Sequence, residues 1–208
     1  MGWLEEIGNR LFGRESADAA PRVYMHDDEL AQLTAVVTKL APKRVLEWGS
    51  GGSTHMFLTR FPSIERMVSV ENDRGWYERV RAKIDDPRLS LFLVESDVAP
   101  PDVSREGPKR GRELLSAFHL RCEREPALMR SYVEKPGSLG ERFDFVLVDG
   151  RARSFCIAAG WELLVPGGVL VLHDAQRPEY RDAMLATHEP QWLEPWQQGQ
   201  ICVAHKPA

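Results

Sequence analysis

Short apolar runs alternate with amphipathic stretches along most of this chain. The runs are bounded by turn residues, as buried strands are, whereas the stretches between them repeat apolar positions at helical spacing. Predicted strands lie at 44–48, 66–71, 89–94, 143–148 and 169–172, with two short terminal strands near 192–193 and 200–205. This alternation predicts an α/β fold: a doubly wound, mostly parallel Rossmann-like sheet of about seven strands, the last one antiparallel, with helices on both faces.

The length of 208 residues suits one domain with a well-buried core. We expect residues 1–40 to form a helical segment and residues 41–208 to form the sheet core. Within the first segment, apolar spacing predicts a helix in 1–13, packed on the domain or on a second subunit, and another helix at 27–40. A homodimer is therefore one expectation.

Residues 99–140 interrupt the alternation of strands and helices. They are rich in proline and charge, and a helix is predicted around 112–124. A connection this long inside a compact domain is usually an inserted functional element or a mobile segment. Two interpretations stay open here: a lid or substrate-selecting element, and a solvated, partly helical insertion.

Composition narrows the class of protein. Hydrophobic residues make up 43% and charged residues 28%, and the net charge of −4 argues against a surface that holds nucleic-acid phosphates. We see neither an apolar run that could span a membrane nor a secretory signal, so we expect a cytoplasmic protein without membrane or nucleic-acid partners. The three cysteines lie far apart and indicate free thiols.

Acidic residues fall at the ends of the five main predicted strands. In doubly wound sheets, ligands bind outside the carboxyl ends of the strands, where the strand order reverses. These acids are therefore the main functional signal of the chain. They are Glu47, Glu71, Asp97, Asp149 and Asp174.

A glycine-rich turn follows the first predicted strand and opens a helix. Gly49, Gly51 and Gly52 let the backbone approach a ligand closely. Glu71 lies 20 residues after Gly51, where a carboxylate accepts hydrogen bonds from ribose hydroxyls. Asp97, at the end of the third strand, is placed to accept from an adenine amino group. The pattern predicts a nucleoside-containing cofactor.

Two kinds of cofactor use such a frame. A dinucleotide site needs the G-x-G-x-x-G turn, but Thr54 stands where its third glycine belongs. A pyrophosphate would also lie close to the negative charge of Glu47. A cofactor with a sulfonium and an ammonium group meets no such repulsion, so the turn favours a sulfonium cofactor.

These motifs together resemble those of the class I S-adenosylmethionine-dependent methyltransferases. The resemblance spans about residues 40–205, with the insertion as its main departure, and implies a methyltransferase-like domain with that activity. Residues 45–53 resemble the first motif, 68–71 the acidic second, 95–97 the third, 143–150 the fourth, and 164–170 the Pro-Gly-Gly turn before the fifth strand.

The resemblance also implies a set of cofactor residues. Glu47, Gly49 and Gly51 are expected around the methionine part, and Ser53 replaces a frequent third glycine of the loop. Glu71 is expected at the ribose hydroxyls. Ser96 and Asp97 are expected near the adenine, and the cofactor set is completed by Ser50, Asn72 and Asp149.

Asp149, His173 and Asp174 are the candidate catalytic residues. In the O-methyltransferases that use Mg²⁺, an acid after strand four and an Asp-Asn pair after strand five bind the metal. Asp149 and Asp174 resemble that arrangement, although Ala175 stands where the Asn would be. Three alternatives stay open: Mg²⁺ on Asp149 and Asp174, a metal-free general base at His173 or Asp149, and a structural role in which Asp149 contacts the cofactor and Asp174 caps a turn.

Arg151 and Arg153 directly follow the fourth-strand acid. Arginines at the mouth of a site suit a carboxylate or phosphate on a substrate, and they equally pair with nearby acids. We expect methyl transfer to an oxygen of a small or sugar-like acceptor. The alternatives are an NAD(P)-binding oxidoreductase and a non-catalytic binding module that retains the fold.

Overall fold

The structure, a computed structural model, describes residues 21–208. The helix predicted in 1–13 lies outside the described residues. Within residues 21–208, no helix has both the length and the apolar character that crossing a bilayer requires.

Seven strands form one sheet, in the order β3-β2-β1-β4-β5-β7-β6. Strands β1 to β5 pair in parallel, and β7 runs antiparallel to both β5 and β6. This confirms the predicted fold class. The strands are β1 (Arg44–Trp48), β2 (Arg66–Glu71), β3 (Leu89–Leu93), β4 (Phe143–Val148), β5 (Leu164–Leu172), β6 (Gln191–Trp192) and β7 (Cys202–His205).

Helices cover the sheet and connect its strands. The described α-helices are α1 (Asp27–Leu40), α2 (Gly52–Arg60), α3 (Arg74–Lys83), α4 (Pro108–Cys122), α5 (Arg130–Glu134), α6 (Arg153–Leu163) and α7 (Arg181–Leu185). Short 3-10 turns lie at Pro126–Leu128, Gly137–Leu139 and Pro178–Tyr180. The strand order reverses between β1 and β4, so a crevice is expected at the carboxyl ends of these two strands.

Alternate residues along the strands pack into two hydrophobic cores, one on each face of the sheet. Val45 and Phe145 point to the face covered by α1 and α2, where Leu33 and Phe57 are fully buried. Trp48, on the other face, is also fully buried, and its indole nitrogen donates to the carbonyl of Tyr132 in α5 at 3.2 Å. Parallel strands that are buried on both faces explain the nearly continuous apolar runs of the sequence.

Local capping sets the helix ends. Asp73 accepts a hydrogen bond from the Trp76 amide at 2.6 Å and begins α3. His26 caps α1, and Glu29 completes a capping box by accepting from the His26 amide.

The insertion packs into the core through one side. Its helix α4 begins at Pro108, four residues earlier than predicted, because proline suits the first turn of a helix. Buried side chains of α4, the following turn and α5 join one of the cores: Phe118, Cys122, Leu128, Met129 and Tyr132. The one-domain organisation, the homodimer and the cytoplasmic location stay predictions.

Glu123 links the insertion to the start of α6 by hydrogen bonds. It follows α4 directly, is 8% exposed, and its carboxylate accepts from the amides of Ala152 (3.0 Å) and Arg153 (2.8 Å). These two amides lie at the start of α6. The N-cap residue Ala152 has a left-handed backbone conformation, and its side chain makes no capping hydrogen bond. An acid from a distant element therefore caps α6.

Replacing Glu123 by Ala should destabilise the protein by about 1–2 kcal/mol, since two buried amides lose their acceptor. The matched control is Glu125→Ala, which removes an exposed pair with Arg121 and should cost about 0.5 kcal/mol or less. Urea denaturation gives both free energies of unfolding. Equal losses in the two variants would contradict the capping role.

Candidate functional site

A cavity of about 770 Å³ opens at the carboxyl edge of the sheet, at the predicted crevice. The loops after β1, β2, β3, β4 and β5 contribute to its wall, and so does α4. Of the predicted site residues, those that line it are Gly49, Ser50, Gly51, Ser53, Glu71, Asn72, Ser96, Asp149, Arg151, Arg153, His173 and Asp174.

The glycine turn packs against the loop that follows β4. Gly49 has φ +95° and donates its amide to the Val70 carbonyl at 2.9 Å. A Cβ at this position would lie 2.8 Å from the backbone of Asp149. Glycine is therefore required here for its φ angle and for close approach, and it brings the β1 loop beside the candidate catalytic acid.

The segment before α1 covers the start of α2. A Cβ on Gly52 would lie 2.1 Å from the backbone of Arg22, so this segment crosses directly over the helix terminus. Val23 and Tyr24 then line the cavity, and the Tyr24 ring lies 5.9 Å from the Trp76 ring. Sequence analysis missed this wall because its partners are distant in the chain.

Glu47 lies beneath the turn and does not line the cavity, and its predicted contact with the methionine part of a cofactor stays a prediction. Its fully buried carboxylate accepts from the hydroxyls of Ser53 (2.5 Å), Thr54 (2.5 Å) and Ser69 (2.7 Å). Burial raises its pKa to about 7, although these hydrogen bonds favour the charged form. Glu47 therefore braces the first turn of α2 from below.

Glu71 is held at the cavity wall by backbone amides. Its Oε1 accepts from the amides of Asn72 and Asp73, each at 2.8 Å. Its Oε2 accepts from the Ser50 amide at 3.1 Å and the Ser50 hydroxyl at 3.3 Å. Burial raises its pKa to about 7, against the effect of the amides. The carboxylate is thus fixed in orientation and joins the β1 and β2 loops.

Of the two residues predicted near adenine, only Ser96 lines the cavity. Asp97 is exposed and turns toward the insertion, where it accepts from the Ser131 amide at 2.9 Å and also from the Ser131 hydroxyl. Its own amide donates to the Leu128 carbonyl at 2.9 Å. Asp97 therefore anchors the start of α5, and the adenine contact predicted for it stays a prediction.

Arg153 lies between the two acids that follow β4 and β5, Asp149 and Asp174. It is 7% exposed, and its five N–H donors all have acceptors. Nε donates to the Gly150 carbonyl at 2.9 Å. Nη1 donates to the His173 carbonyl at 2.6 Å and to Asp174 Oδ2 at 3.1 Å. Nη2 donates to the carbonyl and Oδ1 of Asp149, at 3.2 and 3.1 Å.

This geometry bears on two predictions. All five donors of Arg153 are engaged within the protein, so a substrate contact would have to displace one of them, and that contact stays a prediction. Asp149 and Asp174 do not fit an Mg²⁺ site, because the Arg153 guanidinium already lies between them and Arg177 binds Asp174 Oδ2 at 2.7 Å. Among residues 21–208, no cluster of three or more ligating side chains is placed to hold a metal ion.

His173 lies between two carboxylates. Its Nδ1 is 2.9 Å from Asp149 Oδ1, and its Nε2 is 3.0 Å from Glu29 Oε2. Burial lowers the pKa of the ring, but the charge and hydrogen bond of Asp149, together with Glu29, outweigh burial and raise it to about 10. The raised pKa makes the ring an imidazolium at neutral pH with both nitrogens engaged, whereas a general base has to be neutral, and the general base at His173 stays a prediction.

Glu29 is the functional residue that sequence analysis missed. It is fully buried, and its Oε1 accepts from the amides of Gln198 (3.2 Å) and Gly199 (2.7 Å). Burial by itself raises the pKa of the Glu29 carboxyl, but the hydrogen bonds with His173 and with these amides outweigh burial and lower the pKa to about 2. The available signal was its place in a capping box, which indicates a helix start and not a partner for His173.

Two polar groups at the cavity have no hydrogen-bond partner among residues 21–208. Asp149 Oδ2 takes part in no hydrogen bond with residues 21–208, because the side-chain contacts with Arg153 and His173 both use Oδ1. The Arg151 side chain lines the cavity and forms neither a hydrogen bond nor an ion pair with any residue of 21–208. Beside them, Leu115, Phe118 and Cys122 of α4 form an apolar wall.

Comparison with known proteins identifies the fold. No family model matches the chain. A methyltransferase-like protein from Silicibacter pomeroyi is 22% identical with a TM-score of 0.59, and the match covers 91% of each chain. An O-methyltransferase from Bacillus cereus in complex with SAH is 13% identical with a TM-score of 0.61, covering 98% of this chain and 97% of that one. The chain has the fold of these methyltransferases.

A curated sequence relative is the polyamine aminopropyltransferase of Nitrosomonas europaea. It is 28% identical over 198 residues, which cover 88% of this chain and 52% of the relative. The chain thus spans about half the length of the curated relative that it matches.

The pKa of His173 predicts how stability depends on pH. Because the folded-state pKa is raised from 6.5 to about 10, its contribution is complete below pH 6.5 and is lost as the pH rises toward 10. The wild-type free energy of unfolding should therefore fall across this interval more steeply than that of His173→Gln. The control, His188→Gln at an exposed position, should keep the wild-type slope. Parallel pH profiles for wild type and His173→Gln would refute the imidazolium.

Proposed function

We propose that this protein is an S-adenosylmethionine-dependent methyltransferase that acts on an oxygen of a small-molecule acceptor. One observation carries the proposal: in a methyltransferase fold, a glycine turn and the amide-held Glu71 face the same cavity at the reversal of strand order. This is where such sheets bind nucleoside cofactors. The bound cofactor would supply the methyl group.

The cofactor would lie along the β1 and β2 loops. Gly49, Ser50, Gly51 and Ser53 would contact its methionine part, and Glu71 with Asn72 its ribose. A ribose hydroxyl would replace the Ser50 hydroxyl on Glu71, since this 3.3 Å contact is the longest that Glu71 makes. The Trp76 ring, whose nitrogen donates to the Ser50 carbonyl at 2.5 Å, and Ser96 would border the base.

The loop chemistry argues against a dinucleotide. At the position of the third glycine, the Thr54 hydroxyl accepts from the Gly51 amide at 2.8 Å and donates to Glu47. A dinucleotide turn has glycine at this position so that the helix can pack closely, and the Thr54 side chain departs from that pattern. The curated relative is named a polyamine aminopropyltransferase, but the pairing of Asp149 and Asp174 with Arg153 argues against a cationic acceptor group beside these two acids.

Asp149 Oδ2 is the atom that we assign to the reacting hydroxyl. His173 and Arg153 fix the carboxylate through Oδ1, which leaves Oδ2 to accept the hydroxyl proton. The acceptor oxygen would form a bond to the methyl carbon while the carbon–sulfur bond breaks, and S-adenosylhomocysteine would leave. The positive charge beside Asp149 comes from Arg153 and His173, so no step is assigned to a metal ion.

Calorimetry with S-adenosylmethionine and S-adenosylhomocysteine tests the cofactor. We expect both to bind, and Glu71→Gln to weaken binding by about 1–3 kcal/mol, because a ribose hydroxyl loses its charged acceptor. The matched control is Glu65→Gln, a surface acid paired with Lys43, which should leave the affinity unchanged. Absence of binding at millimolar ligand would rule out the function, and equal affinities for Glu71→Gln and wild type would remove Glu71 from the ribose.

A further inference from the structure

We propose that the acceptor is amphiphilic: an apolar body that carries a carboxylate or phosphate, with the anion bound by Arg151 and the apolar body covered by α4. The proposal rests on the proposed methyl transfer and names its acceptor class. In this arrangement the anion is the recognition group, and the hydroxyl that receives the methyl group is a separate group that faces Asp149.

The two neighbouring arginines differ in what they can still bind. All five donors of Arg153 are satisfied within the protein. Arg151 lines the same cavity, and among residues 21–208 its guanidinium has no hydrogen-bond or ion-pair partner. A guanidinium presents a planar fork of donors that matches a carboxylate or phosphate. Arg151 is therefore the cation available to a ligand.

The Arg151 backbone is held in place. Its carbonyl accepts from the Cys156 thiol at 3.4 Å, and the next residue, Ala152, has φ +53°. The Ala152 amide is bound by Glu123, which also caps α6. The side chain therefore projects from a turn whose backbone is fixed, which limits the entropy lost on binding an anion.

The acids that flank Arg151 are held by other partners. Glu123 is the acid beside it, but that carboxylate is buried and engaged by two amides. Asp149 and Asp174 are paired with Arg153, His173 and Arg177. Burial, and secondarily the charge of Arg151, lower the pKa of His119 in the same wall to about 4, so this ring is neutral at pH 7.

The wall beside Arg151 suits an apolar body. Leu115, Phe118 and Cys122 of α4 line the cavity together with Met129 from the following turn. Cys122 and Met129 are each 1% exposed and anchor this wall in the core, whereas Leu115 is only half-buried. An apolar wall beside a guanidinium that has no hydrogen-bond or ion-pair partner among residues 21–208 favours a ligand with an apolar body and one charged end.

Binding of simple probes to the protein saturated with S-adenosylhomocysteine tests this site. Benzoate and phenyl phosphate represent the two anionic groups, and benzyl alcohol is the neutral counterpart. We expect one of the anions to bind at least about tenfold more tightly than benzyl alcohol. Arg151→Gln should remove that difference, and the stronger anion identifies the group. Arg112→Gln, an exposed arginine of α4, should bind as wild type does.

A second variant separates the two halves of the site. Leu115→Asn should weaken benzoate, phenyl phosphate and benzyl alcohol alike, without removing the preference for the anion. The proposal is overturned if no anion binds, if benzyl alcohol binds as tightly as both anions, or if Arg151→Gln keeps the wild-type preference. Saturation with S-adenosylhomocysteine distinguishes the failures: if that cofactor product does not bind, the proposed function fails, and if it binds while Arg151 has no effect, only this inference fails.

Discussion

The buried guanidinium of Arg153 is the interaction on which the site depends. A charge removed from water is stable only when every donor has a partner, and Arg153 meets this condition through the ends of β4 and β5. Three of its five bonds go to backbone carbonyls, so it fixes the path of both loops as well as the two acids. Loss of a partner from such a buried pair typically costs about 3–5 kcal/mol.

Two distant parts of the chain, α1 and the insertion, support the residues around this guanidinium. Glu29 from α1 holds His173, and His173 holds Asp149. Glu123, at the end of the insertion helix, accepts from the backbone amide of Arg153. Three carboxylates and three cations thereby balance in one network: Glu29, Asp149 and Asp174 with His173, Arg153 and Arg177. The insertion and the segment before the sheet are therefore parts of the site.

The sequence predicts the sheet well because strands and helices are encoded locally, by apolar runs, glycine turns and caps such as Asp73. It also predicts that the strand-end acids Glu71, Asp149 and Asp174 lie at one edge. It does not predict which group each carboxylate faces. Glu29 and His173 are 144 positions apart, and only packing brings them together. Arg153 suits a substrate or an internal pair equally well in sequence, and burial decides between the two.

The same limit applies to Glu47 and Asp97. Both acids occupy the expected strand ends, but serine and threonine hydroxyls beneath the turn bind one, and α5 of the insertion binds the other. A motif thus places a carboxylate at an edge, whereas neighbours from other elements decide whether it faces a ligand.

The central claim is that a guanidinium, and not a divalent cation, lies between the strand-end acids beside the cofactor. Crystals of the complex with S-adenosylhomocysteine, soaked in manganese chloride and measured for anomalous scattering, test it directly. The account predicts cofactor density along Gly49–Ser53 and Glu71, Arg153 between Asp149 and Asp174, and no manganese peak there. A manganese peak on both acids, with Arg153 displaced, would contradict it.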